Sequence, residues 1–301
     1  MAKGKLSIPN LDICTLTAFR EDDLIIRRLD DYLNEHQNLI FPHRHSFYQI
    51  VFFTQGGGNH IIDFNHIQVK PLQIYFMIPG QVHSWNFEGS MNGYIVNFSN
   101  LFFQSFLLRP EYLDSFPFFN GTTEDGVINL SDMSGKLLVT LFESLLVQSE
   151  RNSVFREDMI RVLLIQIFIT IEQVEFQQHE KSQMKANNAI IRRFQNLVEK
   201  NFRDLRLPGA YADLLNITPN HLNALTKEHL GKQAGEVIRE RIVLEAKRLL
   251  VSMDLSISEI AYKLNFNDNS YFGKFFKKDV NITPEAFRMK FASKASSRKF
   301  V

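Results

Sequence analysis

The chain has 301 residues, 45% hydrophobic and 22% charged, with a formal net charge of +1, which excludes a disordered chain and leaves room for two globular domains with a core each. The longest apolar run, residues 162–171, is interrupted by Gln166 and falls short of the roughly 20 residues needed to cross a bilayer. The amino terminus has no continuous apolar segment after Lys3 and Lys5, so no signal peptide is expected, and the single cysteine, Cys14, excludes an internal disulfide; together these predict a cytoplasmic protein with no membrane partner.

In chain order, residues 6–128 alternate short aromatic and β-branched runs with turn signals, the pattern of β-structure. Residues 49–54 read as a strand, 55–58 as a glycine-rich turn and 60–64 as its return. After a corner at Pro71 come strands at 74–78, 83–87 and 93–98, with a turn at Pro79 and Gly80. This order suits a small antiparallel barrel or jelly roll. Most of the dense aromatic residues here are core, because alternation sends about half of any strand inward. Apolar residues then recur at helical spacing over 136–148 and 155–177, the second stripe being wider than one packed face requires. It predicts a helix-helix contact between two copies as well as an intramolecular core. The polar stretch 177–188 reads as a linker.

Residues 208–288 contain an internal repeat with a period of about fifty residues. Ala212 precedes Asn216 by four residues, as Ala261 precedes Asn265; Leu222 to Gly231 and Phe272 to Asn281 are both nine, and Gly231 to Val237 and Asn281 to Phe287 both six. Each copy reads as a helix-turn-helix. A small alanine lets two helices cross closely, and asparagine tolerates the left-handed backbone of the turn. The second helix of each copy buries Leu222 and Leu225, or Phe272 and Phe276, and keeps a polar outer face of Asn220, His221, Asn223 and Lys227, or Asn269, Ser270, Tyr271, Lys274 and Lys277. Such side chains bond base edges and phosphates. Residues 185–301 carry 21 Lys and Arg against 12 Asp and Glu, a balance of +9 that leaves −8 for the remainder. A basic half is the electrostatic footprint of a nucleic-acid partner.

The run ISEIAYKLNFNDNSYFGKFFKKDVNITPEAFR at residues 257–288 closely resembles the carboxy-terminal signature of AraC/XylS-type transcription regulators, and RIVLEAKRLL at 241–250 resembles their connecting helix. Relatives usually carry glycine at Asn216, Asn265 and Asn281, an arginine at Ile242, and a larger polar residue at Gly273. The motif's Arg241 is carried over as a DNA contact. His43, His45 and PGQVHSW at residues 79–85 resemble the two motifs of a cupin barrel, the usual sensory domain of that family. A metal-binding cupin places a glutamate where this chain has Gln49, and a neutral amide is a poorer ligand for a divalent ion. The expectation is therefore no metal and no cofactor, with His43, His45, Gln49, His83 and Trp85 holding a small organic effector.

The resemblance implies a two-domain α+β protein: a cupin-like effector-sensing barrel over 1–130, a helical dimerisation region over 131–178, a linker at 179–188, and over 189–301 an all-α DNA-binding domain of two helix-turn-helix units joined by a long helix. It implies a transcription activator that is not an enzyme, with promoter DNA, a small effector, a second copy of itself and RNA polymerase as partners. The alternatives are a metal-sensing regulator or a cupin metalloenzyme, which needs a catalytic or metal-binding carboxylate that the barrel motifs do not supply, and nonspecific DNA packaging, which needs no polar recognition faces.

Overall fold

The computed structural model describes residues 9–16, 23–36, 39, 41–104, 106–107, 110–179, 185–252 and 255–297. The side chain of Cys14 and residues 180–184 of the expected linker lie outside that description. The chain divides into two compact units, Asn10–Gln183 and Met184–Val301, the latter grouped with Met1–Pro9.

The first unit runs β1 (Asn10–Leu11), α1 (Ile13–Leu16), β2 (Leu24–Arg28), α2 (Leu29–Glu35), β3 (His43–His45), β4 (Tyr48–Ile62), β5 (Asn65–Gln68), β6 (Gln73–Met77), β7 (Val82–Phe98), α3 (Leu101–Gln104), α4 (Thr123–Gly126), β8 (Val127–Asn129), α5 (Asp132–Glu150) and α6 (Arg156–His179). One sheet joins the strands in the order β1-β3-β7-β4-β6-β8, with β2 added along β7 and β5 along β4. All pairs are antiparallel except β1 with β3, which departs from the purely antiparallel order expected.

The spine of this sheet is β4 against β7, and here the structure corrects the sequence reading. Residues 55–58 do not turn the chain back. They are two bulges, between Phe53 and Gln55 and between Gln55 and Gly57, inside one continuous strand of 15 residues. The expected strands at 83–87 and 93–98 are likewise one strand of 17 residues. Glycine serves the bend rather than a turn: Gly93, at φ 147°, lies where an added Cβ would meet the Phe52 carbonyl oxygen at 1.9 Å. Bulges re-aim a strand without ending it. The first half of β4 pairs with β6 and the second with β5, while β7 pairs first with β3 and then with β2, so each long strand passes from one part of the sheet to another.

Alternation along the strands makes two cores. Ile50, Phe52, Ile74, Phe76, Val96 and Phe98 face outward and are covered by Leu138, Leu141, Phe142 and Leu145 of α5 and Ile160, Leu164, Ile167, Phe168 and Ile171 of α6. Val51, Phe53, Tyr75, Met77, Trp85 and Ile95 face inward, with Leu29 and Tyr32 of α2. Full burial of such side chains contributes roughly 1.5–3 kcal/mol each. The two helices are therefore a cover of the barrel unit, and α5 starts cleanly because the Ser131 hydroxyl accepts the Ser134 N–H.

The second unit comprises α7 (Lys185–Asn201), α8 (Pro208–Leu215), α9 (Pro219–Leu230), α10 (Ala234–Ser252), α11 (Ile257–Lys263), α12 (Asn269–Val280) and α13 (Pro284–Ser297). The helix α7 takes in residues 185–188, which the sequence reading gave to the linker. Asn216, Asn265 and Asn281 sit in the left-handed region at φ 56°, 59° and 64°, and Gly231 at 70°, each just past a helix end. The recognition helices begin at side-chain caps: the Thr218 hydroxyl accepts from the His221 N–H, and the Asp268 carboxylate from the N–H groups of Ser270 and Tyr271. Between the two helix-turn-helix units runs α10, whose Ile238, Ile242, Ala246, Leu249 and Leu250 are buried. Ile242, where relatives often carry arginine, is 2% exposed and belongs to this core. Arg288 fastens α13 by donating to the carbonyls of Leu250 and Leu255.

Candidate nucleic-acid interface and barrel interior

On α9, Leu222, Leu225 and Thr226 are buried against the unit and Asn220, His221 and Lys227 stand exposed on the opposite side. On α12, Phe272 and Phe276 are buried while Asn269, Ser270, Tyr271, Lys274 and Lys277 are exposed. Each helix is thus a packed face backing a polar one, about 18 Å long for its 12 residues at ~1.5 Å per residue. Asn269 is steadied by its Nδ2 donating to the Ser258 hydroxyl at 2.6 Å. Gly273 has no atom within 4 Å of where a Cβ would stand, so the backbone of α12 is bare on that side.

Three of the residues named from the sequence are engaged within the protein, the exposed Lys227 by donating from Nζ to the Gly231 carbonyl at 3.2 Å. Asn223 is half-buried and its Oδ1 accepts the Ala234 N–H at 3.1 Å, satisfying a free donor at the start of α10. Arg241 is held by partners within its own unit. Its guanidinium donates twice to Glu199 and once to Glu245, lies 3.9 Å over the Phe202 ring, and its side chain is 12% exposed. Three of its five N–H donors are used in this way, which ties α10 to α7.

In the barrel, β3 and β7 pair His43 opposite His83, and ring centroids place His83 4.1 Å from His43, 5.1 Å from His45 and 5.6 Å from Trp85. Gln49 lies on the same inward face of β4, opposite Asn97, to which its Nε2 donates at 3.0 Å; Asn97 in turn donates to the hydroxyl of Tyr32, whose ring stacks with Trp85. The structure adds His60, which no spacing motif marks. It enters because β4 continues through the bulges and sets His60 opposite Trp85, with its Nε2 3.1 Å from His83 Nδ1.

These imidazoles are 1–2% exposed and carry no charge at neutral pH. Burial pushes the pKa of His43 down to about 4 and those of His45 and His60 to about 3, neighbouring imidazoles adding to the effect at His45 and His60, and burial takes His83 well below its ordinary value. Hydrogen bonds assign the tautomers. His43 and His45 donate from Nδ1 to the carbonyls of Phe41 and Phe47, which leaves Nε2 with a lone pair. His83 is reversed: its Nδ1 accepts from the Trp85 indole N–H at 2.8 Å, so its proton is on Nε2. His45 Nε2, His60 Nδ1, His83 Nε2 and Gln49 Oε1 are buried with no hydrogen-bond partner among the described residues.

That donor set suits a hydrogen-bonding organic molecule better than a metal. A metal-ligating histidine presents a bare nitrogen while the other N–H donates outward; Trp85 imposes the opposite arrangement on His83, and Gln49 offers no anionic oxygen. Among the described residues no group of three or more His, Cys, Asp or Glu is arranged to hold a metal ion.

Two family models match the chain: the AraC-like ligand binding domain over residues 32–165 and a Helix-turn-helix domain over 211–290. Similar proteins include the uncharacterized transcriptional regulatory protein YesN of Bacillus subtilis, 37% identical over 89 residues, a match spanning 29% of this chain but only 24% of that protein. The HTH-type transcriptional activator RhaR of Yersinia pseudotuberculosis is 19% identical over 263 residues, spanning 85% of this chain and 87% of its own length. A solved structure of ToxT from Vibrio cholerae is 13% identical, with 88% of this chain and 97% of that chain covered at a TM-score of 0.40.

Proposed function

The chain belongs to the AraC/XylS-type transcription regulators, with an AraC-like ligand binding domain followed by a helix-turn-helix domain, and from that premise we propose that it is a cytoplasmic, non-enzymatic activator that reads promoter DNA with α9 and α12 and answers to a small organic effector in its barrel. The observation that carries the reading is the pair of capped helices, each with an apolar back and an exposed polar front, joined through one long helix. Two such helices suit neighbouring major-groove segments of one duplex. Asn220, His221 and Lys227 on α9 and Asn269, Ser270, Tyr271, Lys274 and Lys277 on α12 form the reading surface.

The effector sits against His43, His45, Gln49, His60, His83 and Trp85. Two unpartnered acceptors, His45 Nε2 and Gln49 Oε1, and one donor, His83 Nε2, on aromatic walls favour an uncharged hydrogen-bonding ligand, since neither a carboxylate nor an ammonium finds a counter-charge among those six side chains. The ligand acts by binding the DNA-competent state more tightly than the other, so effector and operator strengthen each other's binding.

Two copies associate through α6. Met159, Val162 and Ile169 of α6 and Phe155 just before it are exposed, and with Gln166 they repeat at spacings of four and three, the seam of a coiled coil with one polar position to set register. RNA polymerase is the further partner of an activator.

Selection of bound sites from random DNA tests the reading. A defined two-part motif is expected, with affinity falling steeply as salt rises; binding without sequence preference would reject it.

A further inference from the structure

Arg206 lies in the loop that leads into α8, in the first helix-turn-helix unit, yet its guanidinium reaches the second. Its Nη2 donates to the carbonyl of Leu264 and, at 2.7 Å, to that of Asn265, while the guanidinium carbon stands 3.9 Å over the Phe266 ring. Those three residues lie in the turn between α11 and α12. Carbonyls at a helix end have no intrahelical partner and carry partial negative charge, so a cation there is favoured twice over. Phe266, itself buried, packs against Phe272 and Phe275 of α12 at 5.2 and 5.1 Å between centroids, so the contact continues into the recognition helix. The near end is also held: the Tyr211 hydroxyl donates to the Leu205 carbonyl at 2.8 Å, and Pro208 fixes the backbone where α8 begins.

The other link between the units is α10, about 28 Å of helix at ~1.5 Å per residue. It packs against helices of both units and is joined to α12 by the Arg239–Asp279 ion pair. An attachment away from the axis of α10 adds resistance to rotation of one unit about that helix.

We propose that Arg206 is a positioning residue that sets the angle and separation of α9 and α12, and through them the spacing between the two DNA segments the protein accepts. The inference rests on the reading that both helices contact DNA. Nothing in the repeat announces it, because the matching position of the second unit is Leu255.

The test uses the full chain and a site recovered from random DNA, compared with versions in which one base pair is inserted or removed between the two contacted segments. Wild type should prefer the original spacing by about tenfold or more, since each displaced base contact is lost in full. Arg206→Ala should bind the original site less tightly and discriminate among the three spacings by no more than about twofold. Arg206→Lys should move the same way, because an ammonium cannot both stack on Phe266 and hold two carbonyls. Lys274→Ala, with the strut intact, should lose affinity and keep the wild-type spacing ratio. That ratio does not depend on the fraction of active protein, so a partly unfolded variant remains informative. If Arg206→Ala and Arg206→Lys keep the wild-type ratio, Arg206 does not set spacing. If wild type itself binds a single-segment site regardless of spacing, the two-helix reading of DNA fails and takes this inference with it.

Discussion

Acidification from pH 7 to pH 5 should strongly destabilise the barrel unit, and the buried imidazoles set the size of the effect. His43, His45 and His60 have folded pKa values of about 4, 3 and 3 against 6.5 for an exposed histidine, and His83 is held well below its ordinary value by burial and its three neighbours. The unfolded chain therefore binds protons that the folded chain refuses, and stability is full above about pH 6.5 and lost as pH falls toward the folded values. Each histidine costs ~1.4 kcal/mol per pH unit in that window, or about 2 kcal/mol at pH 5. His43, His45 and His60 together reach roughly 6 kcal/mol, a large share of the stability of a typical domain, and His83 acts in the same direction. Trp85 is the chain's only tryptophan and touches this cluster, so its fluorescence in urea titrations at several pH values reports on the barrel alone. Carboxylates contribute little above pH 5. The variant His60→Phe should reduce the slope by ~1.4 kcal/mol per pH unit. Stability flat between pH 7 and pH 5, or rising as pH falls, would refute the assignment of a neutral buried cluster.

Lys274→Ala and Asn220→Ala should each cost roughly 1–3 kcal/mol at particular base positions in a site library, whereas Lys277→Ala should weaken all sequences about equally and reduce the salt slope. Val162→Glu, which puts charge into the exposed seam of α6, should shift the sedimentation of the full chain toward a single copy while its circular dichroism is unchanged; an unaltered association state would remove α6 from the interface. Gly93→Ala should lower the stability of the barrel by ~2 kcal/mol or more in the same fluorescence titration, because the added Cβ meets the Phe52 carbonyl and the φ of 147° is open only to glycine. His83→Ala should abolish the effector's influence on DNA binding and leave binding without effector unchanged, as read by titrating DNA with and without the compound.

The sequence by itself determined the helix-turn-helix half almost completely. Its signals are local: left-handed asparagines close each turn, and apolar side chains three and four apart choose the buried face, so the outward positions on α9 and α12 follow by exclusion. The cupin-like motifs likewise put His43, His45, His83 and Trp85 in one place, because β3 and β7 pair in register there. The tertiary structure decided what depends on partners distant in the chain. A glycine-rich run can turn a strand or bulge it, and only the pairing of β4 with all of β7 chose the bulge, which is also why His60 could not be read from spacing. Side-chain chemistry was hidden for the same reason: an arginine reads as a phosphate contact until Glu199, Glu245 and Phe202 enclose Arg241, and as a solvated loop residue until the turn of the second unit meets Arg206. Local propensity fixes where a helix starts and which face it hides, but the occupation of a charged or polar side chain is settled by the neighbours that folding brings to it.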